Sequence, residues 1–187
     1  MEFLTGVKER ETIGIREILS GDYVGKTVKM NGAVHNIRDM GEFAFIILRK
    51  AEGLVQCVYE EGKTEFDLKD LKEESAVEVT GVIALEERAP QGFELRLTGI
   101  RVLSEPAETM PIAINKWKMN TSLETRLSLR PVSLRNVRER AKFKIQEGIV
   151  RGFREFLSSQ GFTEVHTPKI VSRGAEGGAN VFKLNYF

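Results

Sequence analysis

Residues 34–61 read VHNIRDMGEFAFIILRKAEGLVQCVYEE, and this stretch decides the fold. It holds the end of an alternating segment, KTVKMNGAVHNIRD (26–39), and two short apolar segments, and the three are separated by Met40-Gly41 and by Glu52-Gly53. Glycine at such breaks is typical of turns, and the segments are rich in the β-branched and aromatic residues that favour strands. The stretch therefore predicts a β-meander of three strands joined by short connections.

The sequence on either side predicts two further strands and two helices. Upstream, Thr12 can cap a helix that ends at Ser20-Gly21. Downstream, residues 63–75 have helical spacing, and then AVEVTGVIAL (76–85) and FELRLTGIRVL (93–103) resume as strands. Five strands with a helix between the third and the fourth give the order of an OB-fold, a small barrel whose outer face commonly binds single-stranded nucleic acid. Other small β-barrels share this pattern.

Strand alternation assigns the side chains of FAFIILR to two faces. Ala44, Ile46 and Leu48 are expected in the core, and Phe43 and Phe45 are expected on the outer face. An exposed aromatic side chain among polar neighbours is a platform on which a base can stack. The second strand therefore predicts a base-stacking surface.

Polar residues on the neighbouring strands extend this predicted surface. Gln56 carries an amide that can read a base edge, and Arg38 is within reach of a phosphate or a base. Alternation also places Glu94 and His35 on the outer face. The alternative is that Phe45 packs under a loop, with the polar side chains simply solvated.

The composition argues against several classes of site. Cys57 is the only cysteine and lies in an apolar run, which predicts a buried, unreactive thiol. Two histidines and no His/Cys cluster at ligand spacing argue against a metal site. No apolar run is long enough to span a bilayer and no signal sequence is evident, so we expect a cytoplasmic protein without a membrane partner.

Charge is distributed unevenly along the chain. Residues 1–108 contain 14 Lys and Arg against 21 Asp and Glu, whereas residues 109–187 contain 14 against 6. The acidic run from Glu60 to Glu74 is expected to be the solvated face of a helix. A nucleic acid would therefore find its bulk electrostatic attraction in the second part, and binding to the barrel must depend on local contacts.

The second part begins with a linker and continues as an incomplete domain. Residues 109–130 are predicted to be a linker or hinge, because Pro106, Pro111 and Pro131 punctuate the chain in and around this segment. A long amphipathic helix then runs to Gly161. It is followed by a predicted strand, FTEVHTP (162–168), a Gly-rich loop (174–179) and a second predicted strand, VFKLNYF (181–187). One helix and two strands cannot bury their own apolar faces, so we expect this domain to continue beyond Phe187.

Three segments together resemble a known enzyme family. QGFTEVHTPKI (160–170) resembles motif 1 of class II aminoacyl-tRNA synthetases, and residues 34–61 resemble the anticodon-binding OB-fold of the aspartyl, asparaginyl and lysyl subgroup. AEGGANVFKLNYF (175–187) resembles the segment after motif 1 in archaeal-type aspartyl enzymes. The resemblance implies an anticodon-binding OB-fold in residues 1–108, a linker in 109–130 and the start of an antiparallel-sheet catalytic domain in 131–187.

Within this resemblance, four residues of the barrel match anticodon contacts of the family. Phe45 matches the aromatic residue that stacks on the central uridine, Gln56 and Arg38 match residues that read that base and its neighbours, and Glu94 matches the acidic residue associated with the first base.

The resemblance also implies roles for two residues of the second part. Glu176 matches a carboxylate near the amino group of bound aspartate, and Pro168 matches the motif 1 proline at the homodimer interface.

Two further positions resemble those that set the third anticodon base. Archaeal-type aspartyl enzymes with Trp and Lys at these positions require C, whereas His and Pro accompany enzymes that accept C or U. This chain has His35 and Pro90. The resemblance therefore implies an enzyme that loads aspartate on both tRNA(Asp) and tRNA(Asn).

The family activates its amino acid with ATP and Mg²⁺, but the residues for this step are expected elsewhere in the parent enzyme. Neither the Phe-Arg-x-Glu signature of motif 2 nor the Gly-x-Gly-x-x-Arg signature of motif 3 is present. We therefore assign no catalytic residue and expect no ATP or Mg²⁺ bound to this chain. The alternatives are an asparaginyl-tRNA synthetase, a free-standing OB-fold module that binds tRNA, and a structural protein with an incidental barrel.

Overall fold

A computed structural model describes residues 11–168 and contains a closed five-stranded barrel. The strands are β1 (Thr27–Asp39), β2 (Phe43–Arg49), β3 (Leu54–Glu60), β4 (Ala76–Leu85) and β5 (Phe93–Ser104). They close in the order β1-β2-β3-β5-β4, and every neighbouring pair is antiparallel except β3 and β5. The predicted OB-fold is confirmed.

The barrel encloses the apolar side chains that alternation assigned to the inside. Ala44, Ile46 and Leu48 of β2 are fully buried, and so is Cys57 of β3. Burial in this apolar core raises the pKa of the Cys57 thiol, which keeps it protonated and unreactive. The apolar side chains of β5 at positions 93, 95 and 97 are buried in the same core.

Two helix predictions at the edge of the barrel were wrong in detail. The first helix, α1 (Ile15–Ser20), is capped at Gly14 rather than at Thr12. Because glycine has no side chain to cap with, the Glu52 carboxylate accepts the hydrogen bond from the Ile15 amide at 2.6 Å. The predicted helix over residues 63–75 is a single 3₁₀ turn, Leu68–Asp70. Beside this turn, the Phe66 carbonyl accepts a hydrogen bond from the Tyr59 hydroxyl (3.0 Å).

The segment after the barrel contains the short helices α2 (Leu123–Ser128) and α3 (Arg130–Ser133). A small apolar cluster of Ile112, Ile114 and Met119 packs there. The buried Asn136 side chain donates hydrogen bonds to the carbonyls of Ile114 and Lys116 and accepts from the amides of residues 138 and 139. Asn136 therefore caps the following helix and fixes its first turn to this segment.

The long helix α4 (Val137–Ser159) ends just before Gly161, the predicted end, and the φ of 85° at Gly161 is the left-handed conformation typical of the residue after a helix. The described part of the chain divides into two compact units, of which the first ends at Arg140 and the second begins at Ala141. Residues 162–168 are not a strand, in contrast to the prediction, because within the described part of the chain they form no ladder with another segment.

Candidate nucleic-acid interface

The barrel register brings four of the predicted contact residues onto one surface. Arg38 of β1 pairs with Phe45 of β2, and Phe45 pairs with Val58 of β3. In the next row, Gln56 of β3 pairs with Glu94 of β5. We call this surface the outer strip and define it as Arg38, Phe45, Gln56, Glu94 and Arg96.

A β-bulge in β1 turns Arg38 toward this surface. Val34 pairs with Leu48 and Asn36 pairs with Ile47, so His35 is an extra residue without a direct partner. An extra residue reverses the alternation of the strand that follows it. Val34 faces the core, and simple alternation from it would also turn Arg38 inward. The bulge instead places Arg38 on the outer face beside Phe45.

Two aromatic rings form the apolar part of this region. Phe43 and Phe45 meet edge to face, with ring centroids 5.6 Å apart and an interplanar angle of 86°. Phe43 is 40% exposed and Phe45 is half-buried. The contact fixes the Phe45 ring while part of it stays accessible, which is the arrangement that base stacking requires.

The polar part of the strip is a connected group of hydrogen bonds. The Gln56 amide nitrogen donates to one Glu94 carboxylate oxygen at 3.2 Å, and Arg96 Nε lies 3.4 Å from the other. The Glu94 side chain is only 9% exposed, so the alternative interpretation, in which it is simply solvated, is wrong for this residue. Its two partners account for this difference, since a buried carboxylate must be hydrogen-bonded.

His35 is buried rather than exposed, which contradicts its predicted outward, solvated position. Its residue surface is 6% exposed, and its Nδ1 lies 3.1 Å from Arg49 Nη1. The ring lines a cavity together with Lys72, Glu73 and the 106–115 segment. Burial lowers the pKa of His35, and the neighbouring Arg49 charge lowers it further. The imidazole is therefore neutral at physiological pH.

Glu74 belongs to the acidic run that was predicted to be solvated, but its side chain is 3% exposed. Its two carboxylate oxygens accept from Arg49 Nη1 and Nη2 at 2.6 and 2.7 Å. Arg135 Nη1 adds a third bond at 2.9 Å. Burial alone would raise the pKa of Glu74, but the hydrogen bonds and charges of the two arginines outweigh it and lower this pKa. We call His35, Arg49 and Glu74 the buried cluster.

Sequence reasoning missed most of the buried cluster. Arg49 follows six apolar or aromatic residues in β2, and a charge at the end of such a strand is a weak sign of a buried partner. No local signal marks Glu74, because its partners come from β2 and from a position 61 residues further along the chain. Arg96, which pairs with Val58 in the outer strip, was not among the predicted contact residues.

Other site classes find no support in the described structure. Across residues 11–168, no group of His, Cys, Asp or Glu side chains is arranged to hold a metal ion. Over the same residues, no helix combines the length and the apolar character that a membrane crossing needs.

Comparison with known proteins agrees with this geometry. The OB-fold nucleic acid binding domain matches residues 28–103, which contain the outer strip. The domain described as tRNA synthetases class II (D, K and N) matches residues 122–187. Residues 122–187 belong to the class II tRNA synthetases. The barrel is an OB-fold nucleic acid binding domain.

The similar proteins are longer than this chain. The aspartate--tRNA(Asp/Asn) ligase of Deinococcus radiodurans is 44% identical over 163 residues, which are 87% of this chain and 36% of the relative. The enzyme of the same description from Archaeoglobus fulgidus is 42% identical over 167 residues, or 87% of this chain and 39% of the relative. The chain therefore spans less than two fifths of the length of these curated relatives.

A solved structure has the same architecture. Asparaginyl-tRNA synthetase from Pyrococcus horikoshii, complexed with asparaginyl-adenylate, superposes with a TM-score of 0.77 at 32% identity. The superposition covers 89% of this chain and 38% of that structure.

The remaining predicted residues of this chain have different positions. Pro90 is exposed in the loop between β4 and β5, three residues before Phe93. Because β3 and β5 run parallel, the loop before β5 lies at the same end of the outer strip as the start of β3. The start of β3 pairs with the end of β2, where Arg49 contacts His35. Pro168 is exposed at the end of the described part of the chain, and Glu176 lies outside the described residues.

Proposed function

We propose that the outer strip binds the anticodon loop of a tRNA. The observation that carries this proposal is the register: Arg38, Phe45, Gln56 and Glu94 lie on one face in two adjacent rows. The family resemblance proposes the same four residues as anticodon contacts. Phe45 stacks on the central base, and Arg38 and Gln56 read that base and its neighbours. Glu94 contacts the first base.

The chemistry of the strip suits unpaired bases. An aromatic face offers stacking to any base, and the Gln56–Glu94 pair offers a fixed amide oxygen and a carboxylate to base-edge donors. Because the first 108 residues carry an excess of acidic side chains, bulk attraction to phosphate is weak there. Affinity for RNA therefore comes from these local contacts and from the basic second part.

We infer that the parent enzyme is a cytoplasmic homodimer that activates aspartate with ATP and Mg²⁺. It transfers the aspartyl group to tRNA(Asp) and, through His35 and Pro90, also to tRNA(Asn). The names of the two curated relatives support this substrate pair. Pro168 is proposed for the dimer interface and Glu176 for binding the amino group of aspartate. The motif 2 and motif 3 signatures are absent from this sequence, so no step of activation is assigned to its residues.

An asparaginyl parent enzyme is the second candidate, and the structure from Pyrococcus horikoshii favours it. The two candidates differ in the third anticodon base that the barrel accepts. The sequence GUC belongs to tRNA(Asp), and GUU belongs to tRNA(Asn).

The test is a titration of this chain with anticodon stem-loops that carry GUC, GUU or an unrelated triplet. Comparable binding to GUC and GUU, well above the unrelated triplet, is expected. Preference for GUC alone would leave a parent specific for tRNA(Asp), and preference for GUU alone would favour the asparaginyl candidate. Equal binding to all three would overturn the anticodon assignment.

The variant Phe45→Ala links this result to the outer strip. Loss of one stacked base should cost about 1–3 kcal/mol of binding free energy, or roughly 5- to 150-fold in Kd. Leu103→Ala is the matched control, because it removes an exposed apolar side chain at the far end of β5. Equal affinities of both variants and the wild type would exclude Phe45 as the stacking residue.

A further inference from the structure

The backbone at Glu74 is held in an unusual conformation. Its φ is 69°, and among residues 11–168 it is the one non-glycine residue with positive φ. The Glu74 amide donates to the Val34 carbonyl at 2.7 Å, and the Val34 amide donates to the Ser75 carbonyl at 2.9 Å. This turn is therefore attached to the residue that directly precedes His35 in the β1 bulge. Such strain persists only where the surrounding structure enforces it.

The Glu74 carboxylate sets the orientation of the Arg49 guanidinium. Both carboxylate oxygens are engaged by the two terminal nitrogens of Arg49, which is the bidentate geometry of a planar fork. Nη1 carries two hydrogens. One is donated to Glu74 at 2.6 Å, and the other is directed at His35 Nδ1 at 3.1 Å.

This orientation determines which nitrogen of His35 carries the hydrogen. A guanidinium has only donors, so His35 Nδ1 must accept the bond from Arg49. The hydrogen of the neutral ring is then on Nε2. The nearby charges on Arg49 and Arg140 also oppose protonation of His35, whereas Glu74 favours it. The geometry thus leaves the ring one polar group to offer, the Nε2–H donor.

We propose that Glu74 and Arg49 are positioning residues that fix His35 as the Nε2–H tautomer and make it a donor-only contact for the third anticodon base. This proposal rests on the proposed function. Cytosine carries an amino donor where uracil carries a carbonyl acceptor, and the two share a second carbonyl acceptor. A ring nitrogen that only donates cannot accept from the cytosine amino group. The buried cluster therefore removes the contact by which histidine would prefer C over U.

The test combines imidazole nitrogen NMR with stem-loop binding on the whole chain. In the wild type, the His35 signals should show an unprotonated Nδ1 and a protonated Nε2. Glu74→Gln keeps the side-chain size but removes the charge that holds the fork. Glu74→Gly removes the carboxylate and relieves the positive φ. In both variants, His35 should become a mixture of the two tautomers. Because Glu74→Gln keeps the backbone strain and Glu74→Gly relieves it, the same result in both identifies the loss of the carboxylate as the cause.

The same variants should change base preference. The ratio of GUC to GUU affinity should be near one in the wild type and should shift toward GUC by about threefold or more in both Glu74 variants, the size of one modest hydrogen bond. Arg49→Lys retains the buried charge without the fork and should act in the same direction. Arg135→Gln is the matched control, since it removes only the outer partner of Glu74 and should leave both the tautomer and the ratio unchanged.

The outcomes distinguish this proposal from the proposed function. Hydrogen on Nδ1 in the wild type, or an unchanged Nε2–H tautomer in folded Glu74 and Arg49 variants, overturns the positioning role. A mixture of His35 tautomers in these variants, together with an unchanged ratio of GUC to GUU affinity, overturns the specificity role. If no stem-loop binds above the unrelated triplet, the proposed function fails, and the NMR result alone still decides whether Glu74 and Arg49 position His35.

Discussion

The two ends of the outer face of β2 differ in how exposed their side chains are, although the same alternation places the side chains of both ends on that face. At its start, Phe43 is 40% exposed and the Phe45 ring is half-buried. At its end, Ile47 is 7% exposed and the Arg49 side chain is 8% exposed. Alternation specifies which face a side chain lies on. It does not specify whether another part of the chain covers that face.

The covering part is the turn before β4. Glu74 reaches back over Arg49, and the 106–115 segment lines the cavity beside His35. The open end keeps aromatic and polar groups accessible to a ligand. The covered end has its hydrogen bonds already made and its charges paired, so its geometry is set before any ligand arrives. The difference predicts that substitutions at the covered end affect stability and that substitutions at the open end affect binding.

The largest expected effect is the loss of stability in Glu74→Leu. This change leaves the buried Arg49 guanidinium without its counter-charge, which should lower the free energy of unfolding by about 3–5 kcal/mol. Urea unfolding followed by circular dichroism measures it. Arg96→Gln is the counterpart at the open end. Because the Arg96 side chain is 63% exposed, its loss should cost only about 0–1 kcal/mol. Equal losses in the two variants would remove the energetic distinction between the ends.

Acid provides a second check on Glu74. Because its pKa is lower in the folded than in the unfolded chain, the ionised carboxylate contributes stability above the ordinary glutamate pKa. That contribution is lost as the pH falls through the lowered pKa. The stability gap between the wild type and Glu74→Leu should therefore be constant above the ordinary glutamate pKa and should narrow progressively as the pH falls below it. A gap that persists at lower pH would show that the ionised carboxylate is not its source.

The next effect concerns first-base preference at the outer strip. Glu94→Gln replaces one carboxylate acceptor with an amide donor while keeping the side-chain size. Guanine presents donors on its pairing edge that adenine lacks, so a stem-loop with GUC should lose about 1–3 kcal/mol of its advantage over one with AUC. Competition binding measures the ratio. Glu78→Gln, on β4 in an ion pair with Arg101, is the control and should leave the ratio unchanged. A ratio unchanged in Glu94→Gln as well would exclude Glu94 from first-base recognition.

The contrast between the ends also explains what the sequence could predict. The inward residues of β2, such as Ile46 and Leu48, follow from a period of two and needed no tertiary information. The outward position of Arg38 depends on a bulge, which the apolar pattern does not mark. Burial of Glu74 depends on partners that are distant in sequence, and the local run of acidic residues suggested a solvated helix instead. Alternation thus predicted the barrel and most of the outer strip but not the buried cluster.

The smallest expected effect is that of Arg38→Gln on the salt dependence of RNA binding. Arg38 is exposed beside Phe45. If it neutralises one phosphate, its loss should reduce the slope of log K against log salt by about 1. Binding of the GUC stem-loop at several salt concentrations gives this slope. The same substitution at Arg101 is the matched control, because that side chain is exposed on β5 and paired with Glu78 away from the outer strip. A lower slope in Arg38→Gln alone would sharpen the assignment of the open end to RNA. Equal slopes in both variants would mean that Arg38 contacts no phosphate. Any role of Arg38 would then be the reading of a base edge, and that contact changes with the sequence of the stem-loop rather than with the salt concentration.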